Sequence, residues 1–199
     1  MAETLVLASA SSSRRMLMEN AGLTFSAIAA EIDERGVERE IEHRALGPGD
    51  LALELAARKA LDVSSRFPQA LVIGCDQTMS LGSQVFHKPA DRDEARANLL
   101  LLRGRIHRLN SGVALVRDGR EIWRHLSTAD LAMREFSDAF LDDYLSRCGD
   151  DVLRSVGCYQ LEGVGIQLFN SIVGDYFTIL GLPLLPLLGH LRVLGALDA

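Results

Sequence analysis

Several residues in this chain have the types and spacing for phosphate chemistry. The run Leu7-Ala8-Ser9-Ala10-Ser11-Ser12-Ser13-Arg14-Arg15 takes an apolar stretch that opens at Leu5 into small hydroxyl residues and then two adjacent arginines. Small side chains let the backbone approach an anion, and a helix starting here offers unpaired N–H groups. Each guanidinium can fork onto phosphate oxygens. A serine-rich helix cap followed by surface arginines is the plain alternative. Asp76 follows Leu71-Val72-Ile73-Gly74-Cys75, a run too apolar to hold a carboxylate unless a cation, a helix N-terminus or solvent stabilises it. Otherwise it simply starts a turn. Lys59 adjoins the helical stripe Ala52, Leu55, Ala56, Ala60 and Val63, so its ammonium must reach solvent along its stem or meet an anion. Lys88, held extended by Pro89, is ambiguous by itself.

Two further carboxylate positions complete the set. Asp33-Glu34 follows a strand and offers oxygen ligands to a magnesium-type ion, although a solvated acidic loop has the same composition. Glu162 stands in the Gly-flanked turn Leu161-Glu162-Gly163-Val164-Gly165, where a carboxylate can accept from the N–H groups of a base edge. His43, His87, His107, His125 and His190 are scattered without metal-ligand spacing, and the serines have no evident partner base. Attack by water with metal assistance is therefore the chemistry these groups favour over a covalent nucleophile.

The elements that must position them read as follows. A short strand at 5–8 leads through the serines into a helix at 14–21 closed by Gly22, and a second strand spans 24–30. Residues 35–49, charged and ending in Gly47-Pro48-Gly49, read as an exposed loop. Asp50 opens a helix to about Arg66, the apolar strand from Leu71 ends at Asp76, and a hairpin turns at Gly82. A helix at 91–103 stops at Gly104, Asp118-Gly119 marks another hairpin, and Ser137 caps a helix to Cys148. A strand to Val173 and a helix at 184–194 close the chain. Alternating strands and helices early, with antiparallel character in the middle, predict an α/β fold: a mixed twisted sheet flanked by helices. Residues 1–199 read as one domain, with hinges between two lobes near Lys88 and Gly149.

Bulk properties narrow the partners. The chain has 199 residues and is 48% hydrophobic, enough for a real core, and its net charge of -6 argues against coating a nucleic acid. Any cationic site is therefore local. Cys75, Cys148 and Cys158 form no CxxC pair and suggest reduced thiols. The opening Met-Ala-Glu-Thr carries no positive leader, and no apolar stretch reaches spanning length. The expectation is a soluble, cytoplasmic protein without a membrane partner.

Taken together, the residues resemble the Maf family of nucleotide pyrophosphatases. The resemblance rests on eight ordered motifs: LASASSSRR at 7–15, EIDE at 31–34, ARKA at 57–60, IGCDQ at 73–77, HKP at 87–89, LRGRIH at 102–107, GCYQLEGVG at 157–165 and GDYFTILGLPL at 174–184. It implies a cytoplasmic, often dimeric enzyme, with a mixed α/β fold in two lobes around a cleft, that hydrolyses nucleoside triphosphates to monophosphate and pyrophosphate with a divalent cation, magnesium or manganese. Members are also linked to septum formation, and a regulator that binds nucleotide without hydrolysing it is the contrasting reading. By the resemblance Asp76 is the catalytic proton acceptor, with Lys59 and Lys88 on the phosphates. Ser9, Arg14 and Arg15 grip the triphosphate, and Asp33, Glu34 and Asp76 lie on the metal side, with either Asp33 or Glu34 touching the ion.

Base choice follows from three further positions. Asp76-Gln77 and Glu162-Gly163 resemble the branch acting on 7-methyl-GTP, where the pyrimidine branch has Asp-Thr and Gln-Gly. A carboxylate suits guanine, whose N1–H and exocyclic amine are donors. Ser12 and Ser13 stand where the family usually has proline and a bulky residue before the arginines, so Ser13 joins Gln77 and Glu162 as a specificity position. An aromatic there would stack on the base. Pyrimidine and inosine triphosphates are the competing substrates.

Overall fold

The structure is a computed structural model that describes residues 4–198. Its elements in chain order are β1 (Leu5–Ala8), α1 (Ser12–Asn20), β2 (Phe25–Ala27), α2 (Glu34–His43), α3 (Pro48–Arg66), β3 (Leu71–Leu81), β4 (Gln84–Phe86) and α4 (Arg92–Leu102). They continue with β5 (Ile106–Arg117), β6 (Arg120–Met133), α5 (Asp138–Cys148), β7 (Phe169–Val173), the single-turn α6 (Tyr176–Ile179) and α7 (Leu184–Val193). The strands form one mixed sheet in the order β2-β1-β3-β5-β6-β7, with β4 hairpinned onto β3. This is the α/β architecture the alternation of elements predicted. β1 pairs parallel with both β2 and β3, whereas β3–β4 and β6–β7 are antiparallel.

The chain forms two compact units. The first holds the stretch up to Gln77, Asn110–Thr128 and the stretch from Asp175, and the second holds Thr78–Leu109 and Ala129–Gly174. The chain passes between them inside β3, β5 and β6 and again between β7 and α6, so the hinges expected near Lys88 and Gly149 fall within the second unit instead.

Strand alternation organises the first unit. Leu5, Leu7, Leu71, Ile73, Cys75, Val113 and Leu115 share a cluster with Leu17 and Met18 of α1 and with Leu184, Leu187 and Leu191 of α7. Their neighbours Val6, Ala8, Val72 and Val116 pack with Ala60 and Val63 of α3 on the other face. Period-2 side-chain direction on strands explains why adjacent residues join different clusters. α3 lies unusually near the sheet: a Cβ at Gly112 would sit 2.6 Å from the Ala52 carbonyl oxygen, and one at Gly74 would collide with that of Ala56. Both positions must be glycine for the helix to approach so closely.

Three expectations change. Residues 35–49, read as an exposed loop, contain α2 and the first residues of α3. Val37 and Ile41, one helical turn apart, are the only buried residues of α2, too few to mark a helix amid so much charge. The expected second strand at 24–30 shortens to three residues. β3 does not stop at Asp76 but runs to Leu81, because Thr78 and Ser80 are buried polar residues that continue the alternation where the hydropathy falls. The Asp118-Gly119 hairpin forms as expected, with φ of 50° and 70° at its two loop residues.

Candidate active site

Asp76 sits on β3 two residues past Gly74, which pairs with Ala8 at the carboxyl end of β1. Parallel strands present their carboxyl ends to ligands, so the Ser9 loop and Asp76 belong to the same end of the sheet. Alternation turns Asp76 to the α3 side, the side on which Gly74 admits the helix. Lys59 lies on α3 between Ala56 and Ala60, and its Nζ donates to Asp76 Oδ1 at 2.5 Å and to Glu34 Oε1 at 2.7 Å. Lys59 therefore meets an anion and does not simply reach solvent. The side chains of Lys59 and Asp76 are only 13% and 10% exposed, whereas that of Glu34 is 57% exposed.

Burial drives the electrostatics of this pair. It pushes the Asp76 carboxyl above its ordinary value, against the opposing pull of Lys59 and Arg14, with the Glu34 charge adding to the rise. Burial also works against the Lys59 ammonium, but Asp76 and Glu34 outweigh it and hold the lysine above its ordinary value. A carboxylate raised in this way is a better proton acceptor than one at its ordinary value. Cys75 next door is no competing nucleophile, because burial pushes its thiol up to about 12.

The serine–arginine loop divides its labour. Ser11 caps α1 by accepting from the Arg14 amide, and Ser9 Oγ accepts from the Ser11 amide at 3.2 Å. Arg14 Nε donates to the Gly181 carbonyl at 2.8 Å, and its Nη1 donates to the Cys75 carbonyl at 2.7 Å and to Ser9 Oγ at 3.3 Å. Arg14 is thus largely engaged in holding the peptide just before Asp76. Arg15 is exposed, as a residue that receives a ligand must be, and Ser13 is half-buried on the first turn of α1.

Gln77, on the opposite face from Asp76, points its amide nitrogen at Ser111 Oγ (2.8 Å), the Thr178 carbonyl (2.9 Å) and the Ile179 carbonyl (3.1 Å). Its donors are therefore spent on protein, and its carbonyl oxygen is the group left to accept. Asp175 caps α6 by accepting from the Thr178 amide and hydroxyl. The 175–181 segment thereby joins the site through its backbone, tied to Gln77 and Arg14. Sequence reading missed this role. Its only signal was the motif GDYFTILGLPL, whose contribution is carbonyl oxygens that every residue carries.

Asp33 and Glu34 separate. Asp33 caps α2 by accepting from the Gly36 amide at 3.0 Å and pairs with Arg39 at 3.6 Å, its side chain 73% exposed. Only Glu34 reaches Lys59 and so shares a partner with Asp76. No group of three or more His, Cys, Asp or Glu among the described residues is arranged to hold a metal ion. The donor set that does converge is the two carboxylates of Glu34 and Asp76, and two carboxylates with substrate phosphates and waters are what magnesium commonly takes. Lys88 and Glu162 lie in the second unit, both exposed, Lys88 between β4 and α4 and Glu162 in the turn before β7.

A mixed α/β sheet with a buried carboxylate–lysine pair and a capped serine–arginine loop at its parallel carboxyl end defines a phosphate-handling α/β protein. Within that class the chain belongs to the Maf family, since the family model for Maf-like proteins matches residues 4–194. It is 58% identical over 195 residues to a protein of Rhizobium meliloti (strain 1021) named 7-methyl-GTP pyrophosphatase, covering 98% of each chain. Its identity is 59% to one of the same name from Rhizobium johnstonii, over the whole of both chains. A protein of Rhodopseudomonas palustris (strain BisB18) named nucleoside triphosphate pyrophosphatase is 50% identical, with 96% of this chain and 93% of that one covered. No helix among the described residues is long and apolar enough to cross a membrane.

Proposed function

We propose that this protein is a nucleoside triphosphate pyrophosphatase acting on 7-methyl-GTP or a closely related modified nucleotide, in the cytoplasm and as a homodimer. The observation that carries the chemistry is the buried Asp76 carboxylate, raised by burial and held by Lys59 at the carboxyl end of the parallel strands. In this reading Asp76 orients the attacking water and accepts its proton. The bond between the α- and β-phosphates breaks, pyrophosphate leaves, and the water oxygen stays on the nucleoside monophosphate. Lys59, Lys88 and Arg15 offset phosphate charge, while Arg14 and Ser9 hold the loop and the peptide before Asp76 in place. Glu34 and Asp76 would hold a magnesium or manganese ion, which supplies charge neutralisation on the phosphates when bound. Asp33 supports this set by capping the helix that carries Glu34.

Base preference rests on Glu162, whose carboxylate accepts from the donor edge of guanine, with Gln77 and Ser13 as the other two positions that differ between branches. The full-length relatives named for 7-methyl-GTP support this choice of substrate. Pyrophosphate release from 7-methyl-GTP, GTP, UTP, dTTP, CTP and ITP, each with magnesium or manganese, tests it. Fastest turnover per KM on 7-methyl-GTP is expected. A pyrimidine or ITP preference overturns the base assignment, and nucleotide binding without release of pyrophosphate from any substrate overturns the enzymatic one.

A further inference from the structure

The roles above leave the motif LRGRIH at 102–107 unused and draw only Glu162 from GCYQLEGVG at 157–165, yet the second unit joins the two motifs through one buried hydrogen bond. His107 on β5 and Tyr159 are 1% and 7% exposed, and His107 Nε2 lies 2.7 Å from the Tyr159 hydroxyl oxygen. His107 Nδ1 is buried with no hydrogen-bond partner. A hydroxyl that donates to Nε2 leaves one orphaned donor, the Nδ1–H. The opposite arrangement strands both the phenol proton and the Nδ1 lone pair, so Tyr159 is the donor. Burial holds the imidazole down to about 4, which keeps it neutral and able to accept.

Tyr159 begins the turn that carries Glu162, and its backbone is tied on every side. Ser155 Oγ donates to the Tyr159 carbonyl and accepts from its amide, and the Tyr144 hydroxyl donates to the Cys158 carbonyl. The turn then folds back on its own start: Gly163 donates to the Gln160 carbonyl, and a Cβ at Gly165 would lie 2.6 Å from that same oxygen and 2.9 Å from Tyr159 Cβ. Phe169 packs edge-on to the Tyr159 ring at 4.8 Å. These contacts make the turn one rigid piece, and a side-chain hydrogen bond between Cys158 and Asn98 fixes its start to α4. The hydroxyl on His107 is the polar link that ties the piece to β5, more than 50 residues away in sequence.

We propose that the His107–Tyr159 hydrogen bond sets the position of the Glu162 turn and thereby the nucleobase preference, with both members acting as positioning residues. The inference rests on Glu162 reading the base, as proposed above, and deepens that reading. The test measures kcat and KM on 7-methyl-GTP and UTP, with melting temperature, for Glu162→Gln, Tyr159→Phe, His107→Leu, His107→Gln and the double variant H107L/Y159F. Glu162→Gln is expected to cut the preference for 7-methyl-GTP by about tenfold or more. Tyr159→Phe is expected to cut it by roughly three- to tenfold through KM for 7-methyl-GTP, with kcat on UTP within about twofold of the parent.

The double variant separates positioning from stability. Removing both polar partners leaves nothing unsatisfied, so its melting temperature should return toward the parent while its preference stays lost. His107→Gln, which keeps a polar group at the Nε2 end, should retain more of the preference than His107→Leu. A preference that returns together with the melting temperature, or a Tyr159→Phe that lowers kcat equally on both nucleotides, overturns the proposal. An altered preference in Glu162→Gln with an unaltered one in Tyr159→Phe overturns the positioning alone. An unaltered preference in Glu162→Gln overturns the base reading itself.

Discussion

Replacing Lys59 by Met should destabilise the fold far more than removing Glu34, although both changes delete one contact to the same ammonium. Met keeps the apolar stem beside Ala56 and Ala60 but leaves the Asp76 carboxylate, 10% exposed, without its nearest cation. Breaking a buried pair in this way costs about 3–5 kcal/mol, because the surviving charge has no partner. For a chain of this length each kcal/mol moves the melting temperature by roughly 2–4 °C, so Lys59→Met should lower it by about 6–20 °C. Glu34, 57% exposed, makes an ion pair worth no more than about 1 kcal/mol, so Glu34→Gln should lose at most about 4 °C. The pH dependence gives a second reading. Asp76 already has a raised pKa, and without Lys59 it rises further, so the folded variant binds a proton more readily than the unfolded chain. Acidification therefore stabilises the variant relative to the parent, and the deficit should shrink from pH 8 to pH 5.5. Calorimetric melts of the three proteins at both pH values provide the measurement. Equal losses for the two variants, or a Lys59→Met deficit that grows on acidification, would refute the argument.

Other outcomes follow from the same geometry. Asp76→Asn should lower kcat by at least about a hundredfold, as expected for loss of a proton acceptor, and should lower the melting temperature by less than Lys59→Met does, because Lys59 keeps Glu34 as a partner; steady-state kinetics and a melt check both. The two arginines should separate: Arg14→Lys cannot reproduce the fork onto Gly181, Cys75 and Ser9 and should cost about 1–3 kcal/mol in urea unfolding, while Arg15→Ala should raise KM with stability within about 0.5 kcal/mol. Gly74→Ala drives a Cβ into the Ala56 backbone oxygen and should destabilise by about 1–3 kcal/mol or more, with activity falling as α3 and Lys59 are pushed from Asp76. His107, held down to about 4, binds its proton later than in the unfolded chain, so its contribution is complete above about 6.5 and lost as pH falls towards 4. The size is about 3 kcal/mol, and it should appear as the difference in urea midpoint profiles between the parent and H107L/Y159F.

The site was legible where side-chain chemistry conflicted with local hydropathy. Asp76 after five mostly apolar residues and Lys59 beside an alanine stripe were each anomalous alone, and the structure resolves both anomalies in one contact. The caps were legible too: Ser137 and Gly149 bound α5 where their residue types placed them. α2 was not, since two buried residues among ten carry too little periodicity to outweigh its charge. Asp33 and Glu34, adjacent and chemically alike, could not be told apart until the helix start between them made one a cap and the other a partner of Lys59. Arg14 and Arg15 present the same case, for adjacent helical residues point about 100° apart and only the surroundings decide which is engaged.

By itself the sequence determined the early alternation of elements, the ends of β1, α4, α5 and α7 to within about a residue, and the inventory of phosphate-type groups, because these depend on residues a few positions apart. Tertiary structure decided how those groups are spent. It gave Arg14 to the Gly181 and Cys75 carbonyls and Gln77 to those of Thr178 and Ile179, and it paired His107 with Tyr159. Those partners are mostly backbone oxygens, or residues tens of positions distant. A carbonyl oxygen is identical at every position in a sequence, so only the packing of α3, α6 and the strands reveals which one a side chain will meet.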